Sequence, residues 1–249
     1  MAPVSFGPRK KSLPLIWSVL PGKRVMVAAP HMDDEVIGCG GTLLMYSLSG
    51  RQTFVTYFTS GKRNTSLRKK EAIAAQKELG IGDAFYLEAF KPDAVSEVIT
   101  ALASIYKDLQ YDVLFVPNIS DWHPEHQWVN TLWGDFFKGQ GKLDVQIFGY
   151  EVWSHPFPDY LCDISSVFER KARALSCYES QLRLFRYQEL IKGTGMMRAA
   201  FFRRHVTHAE AFQWYQGPAN FVSLTYNSVP PLNRESAAAG NDGKQGRKR

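Results

Sequence analysis

The stretch Arg24-Val25-Met26-Val27-Ala28-Ala29-Pro30-His31-Met32-Asp33-Asp34-Glu35 decides the fold. Val25 to Ala29 are apolar without polar alternation, the pattern of a strand buried on both faces. Pro30 ends the ladder, and Asp33, Asp34 and Glu35 stand where a helix start favours negative charge. The small residues Ile37-Gly38-Cys39-Gly40-Gly41-Thr42 follow and suit a helix lying close against a sheet. A buried strand passing directly into a helix is the first half of a βαβ unit.

Further runs of β-formers recur at residues 52–58, 84–87, 112–116 and 145–150, and the intervals 35–49, 67–79, 94–109 and 126–138 read as helices. Gly50, Gly80 and Gly139 stand where left-handed C-caps fit. This rhythm predicts a Rossmann-like α/β fold, three α/β/α layers around a mainly parallel sheet. After Tyr150 the rhythm changes to an aromatic, proline-rich loop at 151–160, a strand at 161–164, helical residues 167–178 and a further helix at 182–202. The chain divides into an N-terminal extension (1–22), one domain (23–232) and a basic tail (233–249) too poor in apolar residues to pack, hence expected to be disordered.

The net charge of +6 invites a nucleic-acid reading, and its distribution argues against one. Arg9, Lys10 and Lys11 carry three charges, residues 233–249 a net three more, and 12–232 are balanced. The three cysteines, Cys39, Cys162 and Cys177, are odd in number and lack C-x-x-C spacing, which excludes a thiolate zinc site and a disulfide framework and fits a reducing cytoplasm. A secretory signal cut after Ala29 would destroy the best strand, and no run reaches the length of a membrane span, so neither export nor membrane association is expected.

Ligands of open parallel sheets bind beyond the carboxyl ends of the strands. Two loops there concentrate chemistry: Pro30 to Glu35 after the first strand, and Asp121-Trp122-His123-Pro124-Glu125-His126 after the strand at 112–116. Imidazole and carboxylate are the donors zinc accepts when no thiolate is offered, and His31, Asp34 and His126 would supply the three that leave one position open. The acidic cluster would equally suit a helix start with no metal.

Strand, then P-H-x-D-D-E, then a glycine-rich helix, joined to His123-Pro124-Glu125-His126, resembles the two signatures of the LmbE-like (N-acetylglucosaminyl-phosphatidylinositol de-N-acetylase-like) deacetylases. Thr59-Ser60-Gly61, Arg68-x-x-Glu71 and Leu79-Gly80-Ile81 are similar to the same family, and Tyr150 to Trp153, Asp163-Ile164 and Ser180-Gln181 to a bacterial branch of it. Met32 stands where the family usually has Pro, and Glu125 where it more often has Asp.

The resemblance implies a zinc-dependent hydrolase, with one Zn²⁺ or another divalent metal per chain held by His31, Asp34 and His126. It implies Asp33 as general base, His123, kept protonated by Glu125, as oxyanion stabiliser, and Arg68 as a substrate contact, a position that equally suits a solvated cation at a helix start beside Lys69 and Lys70. The carboxylate of Glu151 and the aromatic face of Trp153 suit a sugar site, and Trp153 would also suit the core. The expected partner is an N-acylated sugar or glycoside, with homo-oligomers possible. Three rival readings compete for this pattern: an amidase acting on a non-sugar substrate, a catalytically inactive sugar-binding module, and a dinucleotide-dependent oxidoreductase. The last fails on spacing, because G-x-G-x-x-G from Gly38 would require glycine where Leu43 stands.

Overall fold

The computed structural model of the chain describes residues 13–17, 20–59, 64–87, 89, 94–202 and 205–228. Ser60 and Gly61 and the tail 233–249 lie outside them. In chain order the strands are β1 (Leu15–Ile16), β2 (Arg24–Ala29), β3 (Gln52–Tyr57), β4 (Asp83–Tyr86), β5 (Val113–Pro117), β6 (Gln146–Tyr150), β7 (Tyr160–Asp163) and β8 (Ala209–Trp214). The helices are α1 (Asp34–Leu48), α2 (Thr65–Leu79), α3 (Val95–Leu109), α4 (Pro124–Lys138), α5 (Phe168–Ser176), α6 (Glu179–Leu182), α7 (Tyr187–Ala199) and α8 (Pro218–Ser228).

Among the described residues, eight strands form one sheet in the order β1-β7-β8-β6-β5-β2-β3-β4, parallel except for β8, which runs antiparallel to both β6 and β7. Alternate residues of β2 serve opposite faces. Val25, Val27 and Ala29 pack with Leu43, Leu44, Ala75 and Leu175 of α1, α2 and α5, while Met26 and Ala28 pack with Leu102, Val129, Trp133 and Phe221 of α3, α4 and α8. Both faces of the central strands are therefore dry, which is why β2 reads as a continuous apolar run. Among the described residues no helix is long and apolar enough to cross a membrane.

The crossover after β2 leads to β3 on one side of it, and the crossover after β5 leads to β6 on the other. The adjacent strands β2 and β5, in register from Val25 opposite Val113 to Val27 opposite Phe115, thus form the topological switch point. The two loops singled out from the sequence leave its carboxyl edge side by side.

Four features depart from the sequence reading. Gly50 and Gly80 have the expected left-handed φ of 74° and 70°, but Gly139 is right-handed at φ −80°, ψ −7°, and Gln110 takes a left-handed cap instead. The helix expected at 182–202 is broken into α6 and α7, a break that turns Tyr187 into the core while Leu184 and Phe185 stay exposed. The stretch assigned to an extension supplies β1, and Trp17 stacks at 4.9 Å on Phe212 and edge-on at 5.2 Å on Phe148. Strand β8 and helix α8 have no counterpart in the sequence reading.

Candidate metal centre and active site

The backbone just before α1 is strained. Asp33, at its N-cap, has φ 146° and ψ −26°, a region L-residues rarely adopt, at a cost on the order of 1–3 kcal/mol. Two sets of bonds hold it there. The Asp33 carbonyl accepts from the amides of Val36 and Ile37, both at 3.0 Å, and the Asp33 amide donates to Glu35 Oε2 at 3.1 Å. Glu35 is buried, and its other carboxylate oxygen accepts from the hydroxyls of Tyr57 and Tyr178. Burial pushes the Glu35 carboxyl up to about 7, against the pull of those hydroxyls.

The expected ligand atoms of His31, Asp34 and His126 lie within 4.8 Å of one another. Asp34 Oδ2 sits between the two rings, 3.0 Å from His31 Nδ1 and 3.3 Å from His126 Nε2. It also accepts from the His31 amide at 2.8 Å. His126 is fully buried, and its Nδ1 lies 3.1 Å from Asp121 Oδ2, which holds the hydrogen on that nitrogen. Nε2, the nitrogen that Asp121 leaves available, is buried near Asp34 yet without a hydrogen-bond partner. An orphaned imidazole nitrogen beside a carboxylate and a second imidazole fits a divalent cation.

The electrostatics agree. Burial opposes charge on His31, but Asp34 and Glu125 outweigh it and push the ring up to about 10. His126 is raised to about 9, burial being overcome by Asp34 and Asp121. Asp34 is held well below the usual carboxylate range, because His126 and His31 outweigh its burial. Asp33 is raised well above that range, by burial first and by Asp34 next, against Arg68 and His31. One carboxyl is thus set to stay ionised among the nitrogens, and its neighbour to take up a proton.

His123 caps α4, and its Nδ1 accepts from the Glu125 amide at 3.3 Å, so the neutral ring carries its hydrogen on Nε2. The Glu125 carboxylate does not pair with His123; it lies on His31 Nε2. Glu125 reaches across to His31 of the other loop, while one of its carboxylate oxygens stays within 4.8 Å of a His123 ring nitrogen without bonding to it. His123 is accordingly not held protonated: its pKa is lowered, by burial first and then by His126 and His31.

The three expected substrate contacts are separated. Arg68 donates to the Met32 carbonyl at 2.8 Å and lies 3.7 Å from Asp33 Oδ2, with its side chain 12% exposed, so it backs the aspartate from within. Glu151, its side chain 9% exposed, lies against buried Arg198, whose Nε donates to it at 3.1 Å, in a cleft shared with His155, Lys171 and Glu210. Trp153 is half-buried, its amide donating to Asp121 Oδ2 at 3.1 Å and its ring 6.1 Å from exposed Trp122.

Two residues of the site have no role in the sequence reading. Asp121 holds His126 Nδ1, the His123 amide at 2.9 Å and the Trp153 amide, and so ties together both halves of the second loop. The available signal is a carboxylate five residues before a ligand histidine in the same loop. Tyr187 packs 6.0 Å from Trp153, and burial, then the charges of Asp33 and Asp34, push its hydroxyl up. Nothing in the local sequence around Tyr187 marks it.

Known proteins resemble this chain in sequence and fold. A curated relative, diacetylchitobiose deacetylase of Thermococcus kodakarensis, is 26% identical over 191 residues, 64% of this chain and 70% of that protein. A second, 4-oxalmesaconate hydratase of Pseudomonas putida, is 22% identical over 204 residues, 67% of this chain and 77% of its own length. Among solved structures, a conserved protein of Thermus thermophilus superposes with a TM-score of 0.66 at 27% identity, covering 76% of this chain and 93% of that one. Residues 26–136, from β2 through most of α4, match the family described as PIG-L, GlcNAc-PI de-N-acetylase. The stretch that brings the two loops together is the stretch that matches that family.

Proposed function

We propose that this chain is a zinc-dependent hydrolase that removes an N-acyl group, in the simplest case acetyl, from an amino-sugar-containing substrate, releasing the free amine and a carboxylate. The observation that carries the reading is the orphaned, buried Nε2 of His126 beside Asp34 and His31, with Asp33 adjacent. The family match and the diacetylchitobiose deacetylase relative support the choice of substrate.

His31, Asp34 and His126 would hold the metal, which when bound supplies Lewis acidity to polarise the acyl carbonyl and to make water nucleophilic near neutral pH. Asp33, with its raised pKa, accepts the proton of the attacking water and returns it to the departing amine nitrogen. His123 donates from Nε2 to the developing oxyanion, since Nδ1 is occupied by the Glu125 amide. Glu125 steadies His31, Asp121 steadies His126, and Arg68 holds the loop carrying Asp33 through the Met32 carbonyl.

The test is release of amine and acetate from N-acetylglucosamine, N,N′-diacetylchitobiose and glycosides of N-acetylglucosamine by the zinc-loaded protein. No amine from any of them would overturn the substrate class. The hydratase relative favours a second reading, addition of water to an unsaturated oxo-acid at the same centre. Loss of ultraviolet absorbance from 4-oxalmesaconate, without amine release from the sugars, would establish that one instead.

A further inference from the structure

Helix α1 is two helices. Cys39 breaks it with φ −145° and ψ 17°, separating a first turn that carries Asp34 from the long segment leading to Leu48. In an unbroken helix the amides of Gly41 and Thr42 would point at the carbonyls of Ile37 and Gly38. In this chain they donate to the two carboxylate oxygens of Glu210 from β8, at 2.8 and 2.7 Å. The Ile37 carbonyl accepts from Lys171 Nζ of α5 at 2.9 Å, and the Glu35 carbonyl from the Cys39 thiol at 3.5 Å. Lys171 and Glu210 close the arrangement with a direct ion pair at 2.7 Å, both side chains buried to within a few per cent. An anion thus caps the start of the second segment and a cation the end of the first, each on the terminus whose partial charge it complements.

Such a pair is a costly way to stabilise a fold. Desolvating two charges consumes much of their attraction, and apolar side chains of the same volume would often serve as well. What the pair provides is a fixed break. It lets the first turn be aimed independently of the helix behind it, and that turn follows directly on strained Asp33 and carries Asp34. Gly38 and Gly41 bring it down onto the sheet: a methyl group at 38 would lie 2.2 Å from the Tyr150 ring, and one at 41 would lie 2.8 Å from Ile164.

We propose that the Lys171–Glu210 pair is a positioning device for the metal centre, holding the break in α1 that aims Asp33 and Asp34. The proposal rests on the metal-centre reading above and adds two residues outside the expected ligand set. Its test uses the full chain as Glu210→Gln and Lys171→Met, with Leu102→Ala on the far face of the sheet as a control for general destabilisation. Glu210→Gln is expected to speed amide hydrogen exchange in residues 34–42 while leaving β2 protected. Below its melting temperature it should bind zinc at least about tenfold more weakly and lower kcat by about 10²-fold with KM little changed, the scale of an ångström of misplacement. Lys171→Met should act in the same direction, and Leu102→Ala should melt earlier with zinc affinity and kcat intact.

Faster exchange at 34–42 with unchanged zinc affinity and kcat, or losses in Leu102→Ala as large as in Glu210→Gln, would overturn the proposal. Should Glu210→Gln not fold, Glu210→Asp carries the same test, since it keeps the charge but cannot reach both amides. A parent protein that binds no zinc and releases no amine would sink the functional reading itself, visibly before any variant is compared.

Discussion

At the scale of single residues, the account divides two adjacent aspartates between two tasks. Asp34 sits between His31 and His126, and Asp33, on its distorted backbone, is held clear of them with a raised pKa. Asp33→Asn is nearly isosteric but cannot accept a proton, so it is expected to retain zinc and lose roughly 10²–10⁴-fold in kcat, checked by turnover and metal content together. Loss of zinc would mean that the two roles are exchanged. Asp121→Asn should leave the fold intact and weaken zinc binding by roughly 10–100-fold, measured by competition with a chelating dye, because it frees the His126 ring to choose the wrong tautomer. The residues brought together by i, i+3 spacing and loop position are legible from sequence. Partnerships that depend on side-chain direction are not: His123 and Glu125 are neighbours in sequence, yet the helix start sends the carboxylate to His31 in the other loop.

At the scale of elements, buried strands announce themselves when both faces are covered, and β2 is identical in extent to the run read from the sequence. Strands with mixed surroundings do not. In β8 the apolar residues are interrupted by Glu210 and Gln213, and Glu210 is there to cap α1 instead of filling a core. The two-residue β1 is too short for any periodicity. The glycines of α1 are legible as close-packing devices, and the break at Cys39 is invisible because its cause lies more than 130 residues away. Gly38→Ala is expected to destabilise by about 1–3 kcal/mol as the Tyr150 ring is displaced, measured by denaturant unfolding. A neutral effect would mean that the helix is free to lift from the sheet.

At the scale of the whole molecule, the parallel direction of β6, β5, β2, β3 and β4 follows from the βαβ rhythm, whereas the antiparallel insertion of β8 depends on long-range pairing that no local pattern carries. The centre is also linked to the stability of the whole chain. In the metal-free protein His31 and His126 are raised to about 10 and 9, so their stabilising charge is fully present below the ordinary histidine value of 6.5. That contribution is lost as pH rises through 9 to 10. Ligation needs both lone pairs, so loading the metal near neutral pH must expel protons, and apparent affinity should climb with pH until about 10. Calorimetric titration with zinc in buffers of differing ionisation enthalpy should show that release; a buffer-independent heat would exclude it.

The most direct measurement of the central claim is turnover of N,N′-diacetylchitobiose against metal content. The protein is stripped with a chelator and reloaded stepwise with zinc, and released amine and bound metal are read on each sample. The account predicts that the stripped protein is inactive and that activity returns in proportion to zinc up to one ion per chain, with His126→Ala failing to recover at the same zinc concentrations. A stripped protein that releases amine at the parental rate, or a His126→Ala variant that reloads and recovers fully, would contradict it.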